Sequence, residues 1–252
     1  MTDITPSIAE LAGLFAADGS MQKNHLCYWG NIIEDREFYN TVVSNLFREA
    51  FKIKVKPHEK VSNSVYGFYV CNKEVLKFYN ISLEFPIGSK TYTVTIPKKI
   101  LASRDKRVHI AFIRGFFAGD GCLSFDKRYG ACKSILKEIN TYPRIQINSA
   151  SHEIIRQISQ LLSQLEIKHF VDLCKKKKEN EVDVLRVNVY GKERLEDWKL
   201  KIGFSNANHQ TKYEIFKKYG FVPPRITLQE RQKILVGRCD PRPFYPTVSF
   251  KN

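Results

Sequence analysis

Leu11-Ala-Gly-Leu-Phe-Ala-Ala-Asp-Gly19 and Ile113-Arg-Gly-Phe-Phe-Ala-Gly-Asp-Gly121 are two copies of one nonapeptide, with Asp18 and Asp120 aligned at an offset of 102 residues. A second anchor lies downstream of each. Val70-Cys-Asn-Lys-Glu-Val-Leu76 matches Val189-Tyr-Gly-Lys-Glu-Arg-Leu195 at an offset of 119, so the second copy has gained 17 residues, which we assign mostly to 123–148. Self-similarity of this kind fixes the architecture before any single element is considered.

Working outward, both copies predict the same order of elements. In the first, Ser7 with Glu10 three residues on reads as a capping box opening a helix that stops at a helix-terminating Gly19. Two strands fit 20–32, and an amphipathic helix fits 35–51 with Phe38, Val42, Leu46 and Ala50 on one side. A hairpin over 53–71 turns at Ser62-Asn63-Ser64, and a short helix follows from Asn72. The second copy predicts a helix at 104–120, a long hairpin at 123–148, a helix at 151–166, a hairpin at 168–190 and a helix at 192–200. The fold class is α+β: two pseudo-symmetric αββαββα halves with antiparallel sheets and a central two-helix interface. The chain divides into a first half at 1–102, a second at 103–222, and a basic Pro/Arg-containing C-terminal tail at 223–252.

The repeated helices carry small residues four apart, Gly13 and Ala17 on one, Gly115 and Gly119 on the other. Residues at that spacing share a face, and such stripes let two helix backbones approach closely. Asp18 and Asp120 then stand at two helix C-termini, where the dipole disfavours a negative charge. Paired about a pseudo-twofold axis the two carboxylates converge, and a divalent cation resolves the clash, since carboxylates and helix-end carbonyls are hard oxygen ligands.

The composition narrows the partner. Of 252 residues, 41 are Lys or Arg and 26 are Asp or Glu, a net charge of +15. Residues 1–102 hold +2 of it and residues 103–252 hold +13. With 43% hydrophobic residues this is a globular chain, and its basic surplus points to a polyanion. No apolar run approaches the roughly 18 residues of a membrane span, so no membrane partner is expected. The six cysteines form no Cys-x-x-Cys pair, which fits reduced thiols in an intracellular protein. Glycine-rich phosphate loops, Gly-x-Ser-x-Gly elbows and His-Glu-x-x-His motifs are all missing from the sequence.

At the repeated nonapeptide the chain resembles the LAGLIDADG homing endonucleases, two-motif single-chain type. Residues 11–19 match the nine-letter signature at seven positions, departing at Phe15 and Ala16, and the second copy matches a looser form. The resemblance extends over about 1–222 and includes Thr95-Ile-Pro-Lys-Lys-Ile-Leu101, which leads into the second motif. It implies a monomeric pseudo-dimer that cleaves double-stranded DNA at a long specific site, using magnesium with other divalent cations able to substitute. Asp18 and Asp120 would be the catalytic, metal-binding acids, and the backbone carbonyls of Ala17 and Gly119 further ligands. Many relatives place Lys or Gln near the start of the second helix of each half. Here those stretches read Ile33-Glu34-Asp35-Arg36 and Asn148-Ser149-Ala150-Ser151. A lysine that recurs after a Phe late in each half is matched by Lys90, five residues after Phe85. Its counterpart after Phe204 is His209, with Lys212 beyond.

Strand alternation supplies candidate DNA contacts. Arg144, Gln146 and Asn148 share one face, as do Arg186, Asn188 and Tyr190, and such side chains read guanine and adenine edges in the major groove. Asn24, Tyr28 and Tyr66 are the first-half candidates, and Lys175 and Lys176, in the run to Lys178, fit phosphate contact at a hairpin tip. Metal ions on two carboxylates suffice for phosphodiester hydrolysis, which agrees with motifs that hold no histidine. The expected role is that of an intron-encoded enzyme acting at DNA in a prokaryotic cytoplasm or an organelle. The ends of the chain fit that setting better than protein splicing. The alternatives are an RNA-binding intron maturase on the same scaffold and a DNA-binding regulator without catalysis.

Overall fold

The computed structural model describes residues 3–129, 136–176 and 182–245. Its elements run α1 (Pro6–Asp18), β1 (Gly19–Met21), β2 (Leu26–Asn31), then α2 (Arg36–Phe38) continuing through a π-turn at Tyr39–Val43 into α3 (Ser44–Phe51). β3 (His58–Lys60), β4 (Val65–Val70) and α4 (Lys73–Lys77) complete the first set. After α5 (Lys98–Leu101) the order repeats as α6 (Lys106–Asp120), β5 (Gly121–Tyr129), β6 (Leu136–Ser149), α7 (His152–Gln164), β7 (Phe170–Cys174), β8 (Val184–Tyr190) and α8 (Lys192–Lys201). Each set forms an antiparallel four-stranded sheet of the same connectivity, β1-β2-β4-β3 and β5-β6-β8-β7. The α+β class with two αββαββα halves is therefore the observed one. Among the described residues no helix is long and apolar enough to cross a membrane.

α1 and α6 pack against each other at the centre, and their glycines set the separation. A Cβ on Gly13 would lie 2.1 Å from the Phe112 carbonyl oxygen, and one on Gly115 would lie 1.9 Å from that of Glu10. The flanks are closed by Leu11, Leu14, Phe15, Phe112, Phe116 and Phe117, all almost fully buried. Burial of such side chains contributes about 1.5–3 kcal/mol each, which exceeds the ~1 kcal/mol cost of each helical glycine.

Two local expectations are corrected. The N-cap of α1 is Thr5, whose hydroxyl accepts from the Ile8 amide at 3.3 Å, with Pro6 in the first turn. Proline needs no capping partner there, so Ser7 and Glu10 are released from a capping box. Glu10 instead reaches across the seam to Arg114, Oε2 accepting from Nη2 at 2.6 Å and Oε1 from Nε at 3.1 Å. Gly19 and Gly121 do not end their helices in the left-handed region. Both are extended (φ −75° and −87°) and run straight into β1 and β5. Glycine is required because a Cβ would strike the ring of Phe15 or Phe117 at 2.2 or 2.1 Å.

The segment after Gly220 folds back onto the body. α9 (Ala207–Tyr219) is followed by α10 (Leu228–Leu235), opened by a true capping box of Thr227 and Glu230. Arg231, 2% exposed, donates to Glu34 at 2.5 Å, to the Ile226 carbonyl at 2.5 Å, to Thr211 at 3.0 Å and to Asn208 at 3.1 Å. Glu34 also accepts from the Leu228 amide at 2.9 Å, and Glu37 from Gln232 at 2.6 Å. The last helix is thus stitched to the first half of the chain. Residues 246–252 of the expected tail lie outside the described residues.

Candidate active site and nucleic-acid face

Because α1 and α6 pair through their glycines, their last residues meet at the same end. The Asp18 carboxylate rests on the backbone of Gly119, where a Cβ would come within 2.7 Å of its Oδ2. Both aspartates keep solvent-reachable tips while protein crowds them on most sides. That crowding is the largest reason the Asp18 carboxyl is pushed up to about 7. The charges of Asp120 and Asp35 add to the rise, and Lys90 opposes it. Asp120 is raised for the same first reason, with Lys90 again pulling it down.

Lys90 is the cation of the site. Its Nζ donates to the carbonyls of Ala16 at 2.8 Å and Ala17 at 3.0 Å, capping the C-terminus of α1. Burial lowers its pKa, and the two aspartates hold it up. An open pocket of about 320 Å³ lies beside it, lined by Ala17, Lys90, Thr91, Asp120, Asn148 and Ser149. The structure therefore brings Asp18, Asp120, Lys90 and the helix-end carbonyls into one place.

The second half is built differently. His209, at the position matching Lys90, is turned into the core, 4% exposed and 4.5 Å from the Phe117 ring centroid. Burial depresses it to about 3, so the neutral ring donates from Nε2 to the Gly121 carbonyl at 3.2 Å. Lys212 faces Arg231 and Glu34, and neither site aspartate is among the charges that act on it. The place of the second lysine is taken by Asn206, whose Nδ2 donates to the Ala118 carbonyl at 3.2 Å and to Asp35 Oδ1 at 2.8 Å. Asp35 Oδ2 accepts from the Asn31 amide at 2.7 Å. The sequence flagged the stretch around Asp35 only as lacking a lysine. Asn206, two residues after Phe204, carried no signal, because its partners come from other elements.

On the second sheet four of the expected outward residues, Gln146, Arg186, Asn188 and Tyr190, form one network. Gln146 donates to Asn188 at 2.7 Å and Tyr190 to Asn188 at 3.1 Å. Asp172, which sequence reasoning missed, accepts two bonds from Arg186 at 2.6 and 3.1 Å and one from Asn188 at 2.5 Å. Arg144 pairs with Asp126 at 3.3 Å. Asn188 is fully covered by these neighbours, so it organises the face without lying open on it, whereas Asn148 is exposed. Lys175 and Lys176 are exposed beyond β7, and Lys177 and Lys178 lie outside the described residues.

Two of the first-half candidates need correction. Asn24 is exposed in the β1–β2 turn. Tyr28 is fully buried, its hydroxyl 2.6 Å from that of Tyr79 and donating to the Leu11 carbonyl at 3.0 Å. Tyr66 is 6% exposed and bonded to Asn40 at 2.9 Å. Both point to the core because the ladder pairs Gly19 with Tyr28 and Gly30 with Tyr66. Successive side chains alternate faces, so the outward residues are their neighbours Cys27, Trp29, Gly67 and Tyr69. The parity of β2 is set by its ladder to Gly19, which the sequence alone does not show.

Comparison with known proteins agrees with this geometry. Residues 107–203 match the LAGLIDADG-like domain. A probable translation initiation factor IF-2 of Methanocaldococcus jannaschii is 28% identical over 174 residues, which are 68% of this chain and 13% of that protein. The ATP-dependent DNA helicase Hel308 of Thermococcus kodakarensis is 30% identical over 116 residues, 45% of this chain and 10% of that protein. The chain thus spans only about a tenth of the length of these curated relatives. Among solved structures, the I-LtrWI LAGLIDADG homing endonuclease bound to target DNA aligns with a TM-score of 0.55 at 15% identity, covering 86% of this chain and 90% of that one. A double lysine-to-alanine variant of I-SmaMI aligns at 0.54 and 10% identity over 98% and 99%. The homing endonuclease I-DmoI in complex with DNA and Mn aligns at 0.53 and 15% identity over 80% and 98%. Residues 107–203 thus match a LAGLIDADG-like domain, and the chain as a whole has the fold of the LAGLIDADG homing endonucleases.

Proposed function

We propose that this chain is a site-specific double-stranded DNA endonuclease that acts as a monomer, hydrolyses phosphodiester bonds with a divalent cation, magnesium first, and is carried by an intron. The observation that carries the reading is the meeting of Asp18 and Asp120 at the ends of two glycine-paired helices, set between two sheets. A binding protein has no use for such a clash of charge. The donor set fits magnesium, which takes one or two carboxylates and completes its shell with water and substrate phosphate. Asp18 and Asp120 would hold the cation, with the Ala17 and Gly119 carbonyls beside them. Bound there, the cation supplies charge neutralisation at the phosphate and a water of lowered pKa.

The protein's own groups do the rest. On this reading the Lys90 ammonium, released from the Ala16 and Ala17 carbonyls, hydrogen-bonds a phosphate oxygen as charge builds on it. Asn206 and Asp35 fix the opposite side of the seam. The sheets position the duplex, and the second-half network offers the donors and acceptors that base edges recognise. A likeness that fills a short stretch within a translation factor and a helicase fits an insertable module.

The test is incubation of the purified chain with DNA spanning the intron-insertion junction of the host gene, with and without magnesium. Magnesium-dependent cleavage of both strands is expected, and none by Asp18→Asn with Asp120→Asn. No cleavage by the wild type, or preference for intron RNA over junction DNA, overturns the proposal in favour of a maturase.

A further inference from the structure

The ladders fix which residues of the two sheets are equivalent. Gly19 faces Tyr28, and Gly121 faces Ile147. On the next strand Tyr28 faces Phe68, and Ile147 faces Val187. Trp29 therefore holds the place of Asn148, Tyr69 that of Asn188, Cys27 that of Gln146 and Gly67 that of Arg186. At the edge, His58 opposite Gly67 holds the place of Asp172 opposite Arg186. Five outward positions that are amide, guanidinium or carboxylate on the second sheet are aromatic, thiol, imidazole or bare backbone on the first.

These first-sheet side chains form a platform. Trp29 meets Tyr69 at 5.0 Å and 78° and His58 at 5.4 Å and 89°, and Tyr69 lies 5.9 Å from His58. His25 extends the group, 5.2 Å from Tyr69. Tyr69 is 42% exposed, a large side chain open to solvent at the centre of the sheet. Gly67 makes room for the indole, since a Cβ there would come within 2.9 Å of Trp29 Cε3. The platform belongs to the half of the chain that carries only +2 of the net charge.

In the major groove every base pair displays hydrogen-bonding groups, but the one apolar group is the C5-methyl of thymine. The polar atoms of the platform, the indole N–H, the Tyr69 hydroxyl and the imidazole nitrogens, lie at ring edges, so a bare acceptor covered by a ring face loses its water without a replacement hydrogen bond, which is unfavourable. Against a methyl the same platform gains burial on both sides. We infer that the first sheet reads its half-site through thymine methyl groups, on the platform of Trp29, Tyr69 and His58, while the second half reads by hydrogen bonding. This rests on the reading of the chain as a DNA-binding nuclease.

The experiment starts from a duplex selected by the purified full chain from a randomised DNA pool, or from the host junction if that is cleaved. Thymines are replaced by deoxyuridine in each half-site in turn, and binding is followed by fluorescence anisotropy. The expected result is about fourfold weaker binding per methyl removed in one half-site, with less than twofold change in the other. Trp29→Ala, checked for folding by circular dichroism, should abolish that sensitivity, and Trp29→Phe should keep most of it. Equal affinity for thymine and deoxyuridine in both halves of a specifically bound duplex overturns the methyl readout and leaves the nuclease reading standing. A chain that selects no duplex at all overturns both.

Discussion

The amide of Asn206 holds the carboxylate of Asp35 at 2.8 Å, across the seam between the two halves of the chain. The same amide donates to the Ala118 carbonyl, as Lys90 donates to Ala16 at the same 102-residue offset that relates the two aspartates. One side of the helix pair thus has an ammonium, and the other has an amide and a third carboxylate. On the proposed function, the sites that would serve the two DNA strands are chemically unequal.

Replacement of Lys90 by Met should therefore affect the strands differently. The strand phosphate lodged beside Lys90 and Asp120 loses its hydrogen-bonding cation and should be cut about 10²-fold more slowly, so nicked duplex accumulates. End-labelling both strands separately measures this. Equal slowing of both would show that the asymmetry has no part in turnover.

The elevated Asp18 carboxyl makes stability depend on pH in a definite direction. With its value near 7 when folded and 3.8 as the ordinary value, the folded chain keeps a proton that the unfolded chain gives up. The stability this group confers is complete below pH 3.8 and lost as pH rises through 7. Asp18→Asn should raise the melting temperature above pH 7 by about 2–4 °C, roughly 1 kcal/mol after discounting for the solvent-reachable tip. The gain should vanish below pH 4 in calorimetry.

At the helix pair, Gly115→Ala gains helix propensity yet places a methyl 1.9 Å from the Glu10 carbonyl oxygen. Backbone cannot yield as a side-chain tip can. Overpacking of this kind costs about 1–3 kcal/mol or more, above the ~1 kcal/mol that alanine contributes. A lower midpoint in urea with unchanged slope is expected; an unchanged or higher midpoint would mean the helices are free to part.

Asp172 restrains the second sheet. Neutralising it by Asp172→Asn frees the Arg186 guanidinium from a two-bond pair. Binding to non-specific DNA should tighten, and the slope of log affinity against log salt should steepen by about one phosphate contact. Titration at several salt concentrations reads both. A slope that stays constant would show that Arg186 does not reach the backbone.

Much of this was legible in the sequence, and the parts that were not share a cause. The repeat revealed two halves, the helix pairing and the convergence of Asp18 with Asp120, because four-residue spacing alone specifies a shared helix face. Lys90 was within reach through the family resemblance, which places a lysine shortly after a Phe late in each half. Tyr28 and Tyr66 were misplaced because alternation tells which residues share a face but not which face is buried. The ladder from Gly19 decides that, and it exists only in three dimensions. Glu10 looked like a cap because its partner, Arg114, lies 104 residues away, and Asn206 and Asp35 are 171 apart.

Arg231 is the last cross-link, and it is almost completely buried. Arg231→Ala removes the guanidinium that binds Glu34, Ile226, Thr211 and Asn208 and leaves Glu34 facing Lys212 in a site closed by α10; breaking a buried pair of this kind typically costs about 3–5 kcal/mol. The loss should appear as a melting temperature lowered by about 6–20 °C. A smaller change than 1 kcal/mol would show that α10 is held by its capping box and apolar residues alone.

Glu34 and Glu37, near the start of the chain, are held by Arg231 and Gln232, near its end. That arrangement has a consequence for anyone wishing to recombine such halves into enzymes of new specificity. A graft made at the repeat boundary would carry Glu34 away from its arginine, or Arg231 away from its glutamate. The duplicated chain has been sewn shut by a third piece that belongs to neither copy. The unit of exchange is therefore the whole molecule, unless the strap and the 34–37 loop travel together.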